Sequence, residues 1–155
     1  MNNCKIEGIA GDVFNGISCA LHETFGDEYT IYTESIKQGF KEPCFHIIAL
    51  QPTNEQAIDT YYLRDYPMNI MYFPKDENHA KTEMYNMAER LFLAVEYIKV
   101  LDNLRRASKM RYEIVDGVLH FFVTYSMYVK EITAAEPAME TLEYNATLEE
   151  HNDGN

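Results

Sequence analysis

Five histidines, His22, His46, His79, His120 and His151, are the side chains best suited to proton transfer or metal ligation near neutral pH. No two stand at the i, i+4 spacing that puts two imidazoles on one helix face, and none lies beside cysteines at zinc-finger spacing, so no metal site is expected. Cys4, Cys19 and Cys44 are odd in number, widely separated and without a Cys-x-x-Cys pair, the pattern of reduced, mostly buried thiols. The glycines spell neither a G-x-G-x-x-G turn nor a P-loop, and no serine sits in a G-x-S-x-G elbow, so neither a nucleotide nor any other cofactor is expected. Carboxylates are abundant because the whole chain is acidic, and choosing two as a catalytic dyad is arbitrary. One acid-base pairing remains, Glu113 with His120, which a β-turn at Asp116-Gly117 would set opposite each other. Nothing nearby in sequence supplies a nucleophile or oxyanion donors, so hydrogen-bonded sheet residues are the simpler account of His120 and of His46.

Tyrosine offers a different chemistry. The chain has 12 Tyr and no Trp, with many between Tyr61 and Tyr72 and between Tyr112 and Tyr128. A phenol combines apolar area with a polar tip, which suits either a sheet core with a wet rim or a subunit contact. For the second use the candidates are Tyr66, Pro67, Tyr72, Tyr85, Phe92, Phe122 and Tyr128.

The elements that must position these groups follow from apolar spacing. Ile6, Ile9, Ala10, Val13, Ile17, Ala20 and Leu21 recur at helical spacing up to Phe25-Gly26, with Gly8 and Gly11 leaving open a start as late as Asp12. Tyr29 to Thr33 and Pro43 to Gln51 read as strands, with a loop from Glu34 to Glu42 between them. After a break at Pro52-Thr53-Asn54 comes a strand region from Thr60 to Phe73, in which Pro67 implies an edge position or a bulge because it has no N–H to donate. Ala80, Met84, Met87, Leu91, Ala94 and Ile98 step by four and three, predicting a second helix whose apolar arc Tyr85, Ala88, Phe92 and Val95 widen.

Lys109 to Lys130 reads as a hairpin on a two-residue type I′ turn. That register sets Val115 against Val118, Ile114 against Leu119, Tyr112 against Phe121 and Met110 against Val123, and it puts Glu113 against His120 and Arg111 against Phe122 on the other face. The apolar series runs on through Tyr125, Met127 and Val129, so the second arm outruns the first and has side chains left for another strand. The expected fold is α+β, two helices on one face of a mostly antiparallel sheet, in one domain over residues 1–132.

Residues 133–155 lose periodicity and form an acidic tail expected to be disordered. No Lys or Arg follows Lys130, and Glu131, Glu136, Glu140, Glu143, Glu149, Glu150 and Asp153 supply much of the formal charge of -12. Nucleic-acid binding needs clustered Lys and Arg, so an acidic chain argues against it. With no secretory leader pattern and no long apolar run, a soluble intracellular protein without membrane contact is expected.

Three stretches carry a family resemblance: Lys37-Gln38-Gly39-Phe40-Lys41-Glu42-Pro43-Cys44-Phe45, Tyr66-Pro67-Met68-Asn69-Ile70-Met71-Tyr72-Phe73-Pro74, and Glu113-Ile114-Val115-Asp116-Gly117-Val118-Leu119-His120-Phe121-Phe122. Together with the element order, they resemble the tail terminator, or tail completion, proteins of phages and prophages of Gram-positive bacteria, from about Gly16 to Glu131. The resemblance implies a virion component and no enzyme: a homo-oligomeric ring, a hexamer, that caps the tail tube, meets the tail tube protein and the head-tail connector protein, and assembles in the host cytoplasm. It brings no catalytic or ligand residues. Two other classes stay open on the residues alone, a monomeric module binding a peptide or protein through its Tyr-rich sheet, and a small enzyme built around Glu113 and His120.

Overall fold

The computed structural model describes residues 8–35 and 39–130, so the expected acidic tail at 133–155 lies outside the described residues. Element order is α1 (Gly8–Phe25), β1 (Thr30–Tyr32), β2 (Cys44–Ala49), β3 (Thr53–Ile58), β4 (Tyr61–Phe73), α2 (Ala80–Ala94), β5 (Tyr97–Val100), β6 (Asn103–Val115) and β7 (Val118–Lys130). The fold is α+β, two helices against a seven-stranded sheet ordered β1-β2-β4-β7-β6-β5, with β3 pairing β4. Only β1 with β2 is parallel.

The hairpin follows from its turn. Asp116 at φ 51° and Gly117 at φ 74° are both left-handed, as a type I′ turn requires, and every pair expected between Met110–Val115 and Val118–Val123 is present. Both arms are 13 residues long, so the second does not outrun the first in length. A bulge between Ala107 and Lys109 ends their mutual pairing, after which the start of β6 turns to β5 and the rest of β7 stays with β4. The core therefore takes the odd positions of β7, Leu119 through Val129, and the even positions of β4, Tyr66 through Tyr72. Register pairs Ile70 with Phe121 and Met68 with Val123 on that same face.

Helix α1 adds Ile9, Val13, Phe14, Ile17, Leu21 and Phe25 to this core, each fully buried aliphatic or aromatic side chain contributing about 1.5–3 kcal/mol. It ends where Gly26, at φ 76°, donates its N–H to the His22 carbonyl at 2.9 Å. It begins at Gly8, not as late as Asp12. Gly16 is required where it stands, because a Cβ there would lie 2.6 Å from the Lys99 carbonyl oxygen of β5.

Three expectations are corrected. Thr53–Ile58 is a strand and not only a break, with all six residues exposed at a sheet edge and four of them, Thr53 to Gln56, polar. Ile98 belongs to β5 and not to the second helix, which stops at Ala94; the next i+4 position happens to be an inward-facing strand residue, so helical spacing runs on past the helix end. Pro67 lies on neither an edge strand nor a bulge. β4 has β7 on one side and β2 then β3 on the other, and Pro67 falls in the gap where β2 gives way to β3. Its carbonyl accepts from Leu50 N–H at 2.9 Å, so the position of its missing N–H also faces that gap and costs the β4–β7 ladder nothing.

Candidate functional site

The chemical candidates disperse once the side chains are in place. Glu113 and His120 are opposite in register, but Glu113 is exposed and His120 Nδ1 lies 3.1 Å from Asn69 Nδ2, which donates to it across the neighbouring strand. Among the described residues no hydrogen bond joins the two, and no group of His, Cys, Asp or Glu is arranged to hold a metal. His46 is buried beside the Phe40 ring at 5.0 Å, and its burial lowers its pKa from the usual histidine value. Cys44 is buried, which together with nearby Glu42 pushes its thiol up to about 11, whereas Cys19 is exposed, contrary to expectation. Cys4 lies outside the described residues.

The interface candidates separate into two kinds. Tyr66 and Tyr72 are buried in the core; the Tyr72 hydroxyl donates to Glu83 of α2, and burial with that bond raises its pKa well above the usual phenol value. Neither ring offers side-chain area to a neighbour, because β4 is central and its even positions face the helices. Pro67 and Phe122 are half-buried on the opposite sheet face, where the Arg111 guanidinium lies over the Phe122 ring at 4.0 Å. Tyr128 is 60% exposed near the end of β7.

Tyr85 and Phe92 are brought together with Tyr112. The α2 stripe sets both rings over β6, edge-on to Tyr112 at 6.2 and 5.9 Å, with Tyr85 still 45% exposed. This aromatic cluster borders the side of β6 that carries no strand beyond Arg106 among the described residues. A second surface is a groove of about 540 Å³ between α1 and β5, lined in part by Gly16, Cys19, Tyr97, Leu101 and Leu104. Spacing did not reveal Leu104, 65% exposed, or Ile58, 77% exposed at the β3–β4 turn, because strand edges and turn tips are fixed by pairing. Of the cations of β6, Lys109 and Arg111 were already placed in the hairpin by the sequence, whereas Arg105 and Arg106 had no element assigned.

A family model for phage tail terminator proteins matches residues 12–137, from α1 through every strand. The chain belongs to that family. Tail terminators are structural proteins of the phage tail, not an enzyme family. No curated protein matches the sequence. One solved structure aligns over 78% of this chain and 97% of its own at 11% identity, with a TM-score of 0.32, too slight a likeness to carry an argument about this terminator. Among the described residues no helix is long and apolar enough to cross a membrane.

Proposed function

We propose that the chain assembles into a closed ring of six copies at the end of the phage tail tube and joins that tube to the head-tail connector. The family supports a tail role, and the observation that carries self-assembly is the exposed apolar surface. Tyr85 beside Tyr112 and Phe92, together with Ile58, Leu93 and Leu104, leaves large side chains in water on a molecule whose core is otherwise closed. The partners are further copies of itself, the tail tube protein and the connector protein, in the virion after assembly in the host cytoplasm. Acidic residues of the chain face the ring's channel, where they repel the passing DNA.

Native mass spectrometry and electron microscopy, on the chain alone and with tail tube protein, test the ring. The expected result is a closed six-copy particle, either free or seated on tube ends. A strict monomer in both conditions overturns it in favour of a monomeric protein-binding module.

A further inference from the structure

Besides the terminal strands β1 and β5, two stretches of sheet edge are open among the described residues, on β6 and β3, and their backbone directions follow from the register. In β6, Val115 and Val118 close a two-residue turn and are a hydrogen-bonded pair, so Glu113, Arg111 and Lys109 bond to β7 in alternation. Met110, Tyr112 and Ile114 therefore turn their N–H and C=O groups away from β7. Strand β5 meets that side only at Asn103–Arg106, and Ala107 N–H donates to the Glu96 carbonyl at 2.8 Å. Beyond that bond, no other strand of the described residues covers the edge.

The second open edge is β3. Because the Pro67 carbonyl points toward β2 and β3, so do those of Asp65 and Leu63, and these bond to Thr53 and Glu55. Asn54 and Gln56 then face outward, on a strand whose six residues are all exposed. It carries no proline, lysine or arginine of the kind that blunts a free edge.

Charge distinguishes the two edges. The uncovered part of β6 holds Lys109 and Arg111 against the single carboxylate of Glu113, in a chain of formal charge -12, while Arg105 and Arg106 stand beside β5, Arg106 at 3.4 Å from Glu96. The β3–β4 hairpin from Thr53 to Asp65 holds Glu55, Asp59 and Asp65 against Arg64 alone. Side-chain direction matches too. Glu55 pairs with Leu63 and emerges on the sheet face away from the helices, the same face on which Lys109 and Arg111 stand opposite Thr124 and Phe122.

Resting on the ring reading above, we propose that the joint between neighbouring copies is strand addition, the open edge of β6 in one copy receiving β3 of the next. The sheet then continues from subunit to subunit with Glu55 of one copy beside Lys109 and Arg111 of its neighbour. Asn54 and Gln56 lie toward the Tyr85–Tyr112 side. Main-chain bonds supply adhesion and the charge match sets register. Because the two edges differ, the joint is head-to-tail and repeats around a ring rather than stopping at a pair.

The test is a charge swap read by assembly. Glu55→Lys and Arg111→Glu should each weaken ring formation about tenfold or more, and the double variant should recover most of the loss. Since Arg111 also covers Phe122, Lys109→Glu is the second β6 variant, combined with Glu55→Lys in the same way. Asn54→Pro removes one outward N–H and leaves the main-chain β3–β4 ladder in place, losing only the exposed side-chain bond from Arg64 Nε to Asn54 Oδ1, and should block assembly while the monomer's thermal unfolding stays close to wild type. Wild-type rings that form while all these variants assemble equally well overturn the joint and leave the ring reading standing. A dimer that grows no further also overturns the joint. A wild type that never assembles, alone or with tail tube protein, removes both.

Discussion

The two arms of the hairpin are equal in length and, beside the turn, both set apolar residues on the inward face at every second position, yet they end in different environments. Inward-facing residues of β7 are buried to the last, from Leu119 at 0% exposure to Val129 at 5%, with β4 and β6 on both sides as far as Tyr125 and β4 alone beyond it. Their counterparts on β6, Met110, Tyr112 and Ile114, are only half-buried, because one flank is open. Burial of a strand residue thus depends on what covers it as well as on the residue: beside the turn, the strand with two neighbours is closed and the strand with one is not, while Met127 and Val129 are buried with β4 alone as partner. An apolar side chain on a one-sided strand is only partly used by its own subunit.

The sharpest way to break that comparison is to shorten two rings that face each other. Phe121→Ala should cost about 3–5 kcal/mol in denaturant unfolding, and Tyr112→Ala, directly across the ladder, less than half as much. Equal losses would show that β6 is as enclosed as β7.

Next in size is Tyr125→Phe, which removes the hydroxyl that donates to the Val95 carbonyl at 2.6 Å and leaves a buried acceptor unpaired, at about 1–3 kcal/mol near neutral pH. Burial raises the Tyr125 pKa above the ordinary value of 10.0. The folded state therefore holds this proton more tightly than the unfolded chain. The associated stability is complete below pH 10.0 and falls as pH rises beyond it. The variant should flatten the alkaline limb of the stability-pH curve by one proton, about 1.4 kcal/mol per pH unit.

Gly117→Ala touches both arms at once. With φ at 74°, a Cβ should cost about 1–2 kcal/mol in thermal unfolding without altering the register of either strand. The smallest effect belongs to His46. Its pKa is lowered by burial, so the neutral ring is favoured in the folded state, and the stability it contributes is present above the usual value of 6.5 and lost as pH falls through the lowered one. His46→Gln should soften the acid limb alone. An unchanged acid limb would mean that the imidazole is as well hydrated as in the unfolded chain.

Several features were legible before any coordinates. The Asp116-Gly117 turn fixed a register, and the register fixed two faces, so six cross-strand pairs followed from one dipeptide. Both helices were visible as spaced apolar residues. Strands β3 and β5 were not, for opposite reasons. Thr53–Ile58 borders solvent and is polar through Gln56, so it carries no apolar alternation, and Ile98 continues a helical spacing by coincidence. The interface candidates fared unevenly because tyrosine suits a core and a rim equally. Tyr72 bonds Glu83 inside while Tyr85, on a helix face with similar spacing, stands partly in water.

Local chemistry, the positive φ of a turn and the period of apolar residues, is written in adjacent positions, so the sequence by itself determined the hairpin, both helices and the α+β class. Which strand has two neighbours and which has one depends on pairing between residues far apart in the chain. Tertiary structure alone therefore decided that β4 is central with Pro67 in its gap, and that among the described residues the side of β6 facing away from β7 carries no strand beyond Arg106, which leaves Lys109 and Arg111 on an uncovered edge.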